Sequence, residues 1–233
     1  MNYSKYDASR YLPNTSEAIT QGLRTLNSIS VFFDINDKLQ NVLEIGCASG
    51  SFLKVLKENG IKAVKGIDVD NELVKHGQNV LGVNITVSDW SSYVSQCVEK
   101  YDVIIALDVI EHINPSEIQD LIMNTNKILK PNGKLILRMP NPDCPFVLPT
   151  YFGDLTHKTL MTPDLFKYVL TEANFNGQII FKETIPQNTM KKIIYIFLHY
   201  LFVKPLISAL HFHFYGKLPK YITRNVYCCA VVS

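Results

Sequence analysis

From residue 41 onward, short apolar runs alternate with stretches of helical spacing. The runs 41–45, 62–67, 84–87, 102–107 and 134–139 are aliphatic and β-branched, with the length and composition of buried strands. Between them, 51–59, 71–80, 91–98 and 115–129 carry apolar residues three and four positions apart, which predicts helices. Such alternation makes an α/β fold: a parallel sheet with helices on both faces. Upstream, Asn14 or Thr15 caps a helix to about residue 33, with Ile19, Leu23, Leu26 and Ile29 on one face. Downstream, Asn59-Gly60 stops a helix and Pro131-Asn132-Gly133 turns the chain into a strand. After Pro140 the pattern breaks into a proline-containing loop, 141–149, at the carboxyl edge of the sheet. Thr162-Pro163-Asp164 then opens a helix to about residue 173, 177–181 reads as a strand, and 221–232 alternates like one more.

The first strand ends in Gly46-Cys47-Ala48-Ser49-Gly50, a small-residue turn that runs into a helix. Glycines let the backbone turn sharply and approach a ligand, and the helix start offers unpaired N–H donors. The second strand closes on Gly66-Ile67-Asp68, with the carboxylate 18 residues after Gly50, placed to accept from a ribose diol. Ser88-Asp89-Trp90 follows the third strand, and the fourth runs into Leu107-Asp108-Val109-Ile110-Glu111-His112.

These blocks, in this order, resemble the class I S-adenosylmethionine-dependent methyltransferases. They are E-I-G-C-A-S-G (44–50), G-I-D (66–68), D-W (89–90), Y-D-V-I-I-A-L-D-V-I-E-H (101–112) and L-K-P-N-G-K-L-I-L-R-M-P-N (129–141). Ala48 stands where that family usually has glycine. The resemblance implies a doubly wound, Rossmann-like sheet of seven strands whose last strand is antiparallel. It divides the chain into an N-terminal helix and lid (1–36), a core (37–183), a hydrophobic helical insertion (184–220) and a closing strand (221–233). It implies S-adenosylmethionine as cofactor, bound by Glu44, Gly46, Cys47, Ala48, Gly50, Asp68, Val69, Asp89, Trp90 and Leu107. Asp68 would take the ribose and Asp89 the adenine amine, with Trp90 packing at the adenine. Asp70 reads as the cap of the next helix.

Asp108, Glu111 and His112 would share one face if a helix opened at Asp108. Two carboxylates and an imidazole suit magnesium, manganese, iron or zinc. Similar E-x-x-E-H clusters bind a metal in small-RNA 2′-O-methyltransferases and ubiquinone-pathway O-methyltransferases, the former with a distant histidine, for which His157 is the placed candidate. Two other readings stay open. His157 could act alone as general base, with Asp108 and His112 beside it, or Glu111 and His112 could only cap and pack.

The block 152–166, F-G-D-L-T-H-K-T-L-M-T-P-D-L-F, is similar to methyltransferases of O-antigen and capsular polysaccharide pathways. It implies a sugar hydroxyl of a glycan, a nucleotide-sugar or a lipid-linked acceptor. A quinone precursor or an RNA ribose are the alternatives, the latter disfavoured because no basic stripe runs along the core. An inactive, donor-binding subunit recruited to a membrane is the non-enzymatic alternative.

Charge sharpens the picture at the tail. From Lys182 onward, seven Lys and Arg residues face Glu183 alone, so this part carries +6 and leaves −4 for the rest of a chain whose net charge is +2. Within it, 190–216 is strongly apolar. A membrane span would put His199, Lys204 and Pro205 near the bilayer centre, at a cost of several kcal/mol. That leaves a buried helix pair, a peripheral membrane contact or a homodimer surface. The five scattered cysteines form no C-x-x-C pair and fit a reducing cytoplasm. The first 14 residues lack an apolar core, so no secretory signal is expected there. The chain is expected in the cytoplasm or at the inner face of the membrane.

Overall fold

The computed structural model describes residues 12–184, 189–216 and 218–233, so most of the expected lid (residues 1–13) lies outside the described residues. A helix, α1 (Thr15–Ile29), precedes the sheet. Asn14 caps it, with its side chain accepting from Ser16 and Glu17 amides while Glu17 reaches back to the Asn14 amide. It ends earlier than the apolar spacing suggested, yet Phe32 and Phe33 beyond it are still buried.

The core then runs β1 (Asn41–Ile45), α2 (Ser51–Glu58), β2 (Ala63–Asp68), α3 (Asn71–His76), β3 (Ile85–Val87), α4 (Trp90–Gln96), β4 (Tyr101–Leu107), α5 (Ile118–Lys127) and β5 (Leu129–Pro140). The remainder is α6 (Leu148–Tyr151), α7 (Pro163–Glu172), β6 (Ile179–Glu183), α8 (Thr189–Leu198), α9 (Lys204–Tyr215) and β7 (Asn225–Val231). The sheet order is β3-β2-β1-β4-β5-β7-β6. Strands β1 to β5 are parallel, and β7 inserts antiparallel between β5 and β6. This is the doubly wound, seven-stranded arrangement expected.

Side-chain alternation divides the core by face. Leu43, Ile45, Ile104, Ala106, Leu135 and Leu137 pack with Trp90, Leu121, Ile122, Phe166 and Leu170 of α4, α5 and α7. Val42, Val103, Ile105 and Ile136 pack instead with Ala18, Ile29, Phe52, Leu53, Leu56 and Val74 of α1, α2 and α3. Both faces are therefore covered, which is why the strands are continuously apolar. Strand order reverses between β1 and β4, and a crevice opens at their carboxyl ends.

Two local departures matter for the site. The segment after β4 does not open a helix: Asp108 is left-handed (φ 57°) and only Ile110–His112 makes a 3₁₀ turn. The apolar stretch near the C-terminus is one long, mostly exposed helical rod rather than a buried pair: α8 continues through a π turn at His199–Val203 into α9.

Candidate active site

The turn after β1 is built by two glycines with positive φ. A Cβ on Gly46 (φ 67°) would lie 2.5 Å from Val109 Cγ2, and one on Gly50 (φ 80°) 2.7 Å from Ile85 Cδ1. Ala48 is also left-handed (φ 48°), strain of the order of 1–2 kcal/mol that the glycine usual in the resembled family would avoid. The Asp68 carboxylate ties this turn down. Its Oδ2 accepts from the Ala48 amide (2.7 Å) and its Oδ1 from the Asp70 amide (2.9 Å). Asp70 in turn caps α3 through the Glu72 and Leu73 amides, as the sequence suggested.

A cavity of about 830 Å³ lies over these strand ends. Of the residues assigned to the donor, Gly46, Asp68, Val69, Asp89 and Trp90 line it; Glu44, Cys47, Ala48, Gly50 and Leu107 do not, and form the strand ends and turn behind its wall. Trp90 is buried and its Nε1 donates to Thr125 Oγ1 (2.9 Å), which fixes the ring at the cavity wall. Asp89 caps α4 by accepting from the Ser92 amide, and that bonding lowers its pKa. Beneath, Glu44 is buried, and burial together with Asp68 raises its pKa; its Oε2 has no hydrogen-bond partner among the described residues. An acid-lined crevice of this kind suits a donor that carries a sulfonium and an ammonium.

Beside the cavity, whose wall includes His112 but neither Glu111 nor His157, the chain brings three of the four expected metal or catalytic side chains together. Ligand atoms of Glu111, His112 and His157 lie within 4.8 Å of one another, and the two imidazole centroids are 4.8 Å apart. Backbone bonds explain the meeting: the Glu111 carbonyl accepts from the Lys158 (2.7 Å) and Thr159 (3.0 Å) amides, pinning the 157–159 segment to the 3₁₀ turn. Asp108, assigned both as ligand and as catalytic residue, is not in this group. Without a helix at 108, its carboxylate instead turns to Arg138, whose Nε donates to Oδ1 (2.6 Å) and whose guanidinium pairs with Oδ2. Asp108 still lines the cavity.

Hydrogen bonding fixes both rings. The Tyr151 carbonyl lies 2.7 Å from His157 Nδ1, so that nitrogen carries the proton and Nε2 the lone pair. Thr156 Oγ1 donates to Asp154 Oδ1 (2.6 Å) and so accepts from His112 Nδ1 (2.9 Å), which again leaves Nε2 as the acceptor. Burial and the neighbouring His157 lower the His112 pKa, which keeps that imidazole neutral. Although burial raises the Asp154 carboxyl, its bonds to Thr156 win and its pKa falls. Glu111 is buried with an unpartnered Oε2, and burial, with Asp108, pushes its pKa up to about 8.

The Glu111 shift has a measurable sign. With a folded pKa near 8 and an unfolded one of about 4.3, the folded state holds the extra proton between these values. Stability from this group is therefore complete below about pH 4.3 and is lost as pH rises through 8. In metal-free buffer, Glu111→Gln is expected to flatten the fall in melting temperature across that window. Parallel curves for both proteins would refute the assignment.

Tyr151, Asp154, Thr156 and Arg138 were not singled out from the sequence. Asp154 and Thr156 sit in the 152–166 block, and only their spacing from His157 could have flagged them.

A family described as "Methyltransferase domain" matches residues 20–178. Malonyl-[acyl-carrier protein] O-methyltransferase 2 of Ilyobacter polytropus is 25% identical over 144 residues, 60% of this chain and 52% of that protein. Ubiquinone biosynthesis O-methyltransferase of Rickettsia bellii is 31% identical over 117 residues, 48% of this chain and 46% of that protein. The chain thus spans about half the length of the curated relatives it matches. Among solved structures, a SAM-dependent methyltransferase from Archaeoglobus fulgidus superposes with a TM-score of 0.67 at 20% identity, covering 99% of this chain and 100% of that one. The N-methyltransferase NodS from Bradyrhizobium japonicum, in complex with S-adenosylhomocysteine, superposes at 0.56 with 17% identity, covering 99% of each. Five motif blocks, the sheet order and the crevice agree with this matching domain: the chain belongs to the methyltransferase-domain family and has the fold of the S-adenosylmethionine-dependent methyltransferases.

Proposed function

We propose that the chain is an O-methyltransferase that moves the methyl group of S-adenosylmethionine to a sugar hydroxyl of a surface glycan or of its nucleotide- or lipid-linked precursor. The observation that carries oxygen as the acceptor is the pair of imidazoles beside the cleft, each held at Nδ1 by an oxygen, of Tyr151 for His157 and of Thr156 for His112, so that Nε2 is not engaged by that bond. In the transfer, an acceptor oxygen attacks the methyl carbon in line with the carbon–sulfur bond. That bond breaks with its electrons going to sulfur, and the hydroxyl proton passes to His157 Nε2. Asp68, Trp90 and the glycine turn hold the donor so that the reacting atoms start aligned.

The residues also fit a divalent cation. Glu111 contributes an unpartnered buried oxygen, and both histidines have the tautomer that ligation requires. A cation held by Glu111, His112 and His157 would supply Lewis-acid polarisation of the acceptor oxygen. Asp108, committed to Arg138, is left out of that set.

The sugar rests on the 152–166 block. A second acceptor, a phenolic quinone precursor, is favoured by the Rickettsia relative's name. The test is incubation of the full chain with methyl-labelled donor and, separately, glycolipid, nucleotide-sugar and catechol acceptors. Label in a sugar fraction supports the reading. Label only in the catechol moves the acceptor to the quinone class, and tight donor binding without transfer to any of them contradicts the enzyme.

A further inference from the structure

The rod formed by α8, the π turn and α9 is amphipathic the wrong way round for a helix surrounded by water. Among the described residues, its partly or fully covered positions are Tyr195, His199, Lys204, Ile207, Ser208 and His211, five of the six polar or amphipathic. The π turn at His199–Val203 adds a residue per turn, which keeps His199 and Lys204, five apart, on the inner stripe. There they approach Glu183 of β6, at 3.9 and 3.8 Å. Facing outward are Ile194, Phe197, Leu201 and Phe202, all exposed. Within Ile193–Tyr215 an 18-residue stretch has a mean hydropathy of 1.8 with only 11% of it buried. A surface helix on a water-soluble domain shows the opposite pattern.

We infer that this rod is an interfacial docking element that seats the domain on an anionic lipid bilayer. Geometry decides between lying and crossing. The inner stripe follows the domain from Tyr195 to His211, about 24 Å at 1.5 Å per residue, with Glu183 against its middle and the 142–146 loop against α9. A crossing helix would pull the β6 edge and that loop into hydrocarbon, so the rod lies in the membrane plane. Charge decides the lipid. Lys191 and Lys192 begin the stretch in sequence and Lys217 and Lys220 follow it, whereas the one acid of the tail, Glu183, is turned inward. Basic flanks around an aromatic, apolar face match a negatively charged surface.

The same docking orients the active site. An apolar groove of about 630 Å³ runs between Leu206, Leu210 and Phe214 of the rod and Pro142, Pro145 and Phe146. That loop leads directly into α6, whose Tyr151 carbonyl fixes His157. Seating the rod therefore brings the catalytic end of the cleft close to the bilayer. The inference holds whichever hydroxyl is methylated.

The test is co-sedimentation of the full chain with phosphatidylcholine vesicles, with and without phosphatidylglycerol. The bound fraction should rise at least about tenfold with the anionic lipid and fall as salt is added. Phe197→Ser with Phe202→Ser should cut binding at least about tenfold while melting temperature and donor affinity stay unchanged. Ile194→Ser with Leu201→Ser should do the same. No sedimentation with either vesicle overturns the proposal, as does unfolding by both pairs, which would make the face core. A wild-type dimer in sedimentation velocity that both pairs dissolve, without vesicle binding, would assign the face to a second copy instead.

Discussion

Asp68→Ala is expected to weaken binding of S-adenosylmethionine at least about tenfold. On the proposed binding mode the lost interactions would be charge-assisted hydrogen bonds to the ribose diol, each worth about 1.5–3 kcal/mol. The structure adds a second cost, because the same carboxylate holds the Ala48 and Asp70 amides and so the shape of the turn. Asp68→Asn keeps one acceptor oxygen and should fall between wild type and alanine. Burial raises the Asp68 pKa, so the carboxylate is lost sooner on acidification than an exposed aspartate would be. Donor affinity should therefore fall at a higher pH than for such an aspartate. Calorimetry showing unchanged affinity for the alanine variant would remove Asp68 from the donor site.

His157→Ala should lower the transfer rate by about 10²–10⁴-fold, the usual contribution of a positioned general base, with donor affinity nearly intact. Glu111→Ala separates two roles for the same cluster. If the trio holds a cation, EDTA should abolish activity, one of magnesium, manganese or zinc should restore it, and both variants should fail. If His157 acts alone, EDTA should leave the rate unchanged and Glu111→Ala should cost much less than His157→Ala. Activity of His157→Ala equal to wild type would contradict both.

The parallel core was legible because strands buried on both faces read as continuous apolar runs and their helices carry three- and four-residue spacing. The turn at 46–50 was legible from its glycines. What the spacing could not supply was the conformation of Asp108. A helix there would have aligned Asp108 with Glu111 and His112, but the residue is left-handed and its carboxylate meets Arg138, 30 residues away in sequence. That partner lies across the β4–β5 pairing, where Leu107 stands opposite Arg138, and no local pattern encodes it. His157 was found by residue type, yet its orientation depends on the Glu111 and Tyr151 carbonyls, backbone acceptors that carry no side-chain signature. The inverted rod at 193–215 was visible as apolar sequence. Which way it faces depends on Glu183, a lone acid whose role only packing reveals.

The donor is expected to lie over the ends of β1, β2 and β4 with its methyl group turned toward the histidine pair. The most direct measurement is a crystal structure of the full chain with S-adenosylhomocysteine. The ribose diol should lie within hydrogen-bonding distance of Asp68, the adenine against Trp90, and the sulfur on the side of His112 and His157. A ligand bound elsewhere, or one whose sulfur points away from both imidazoles, would contradict it.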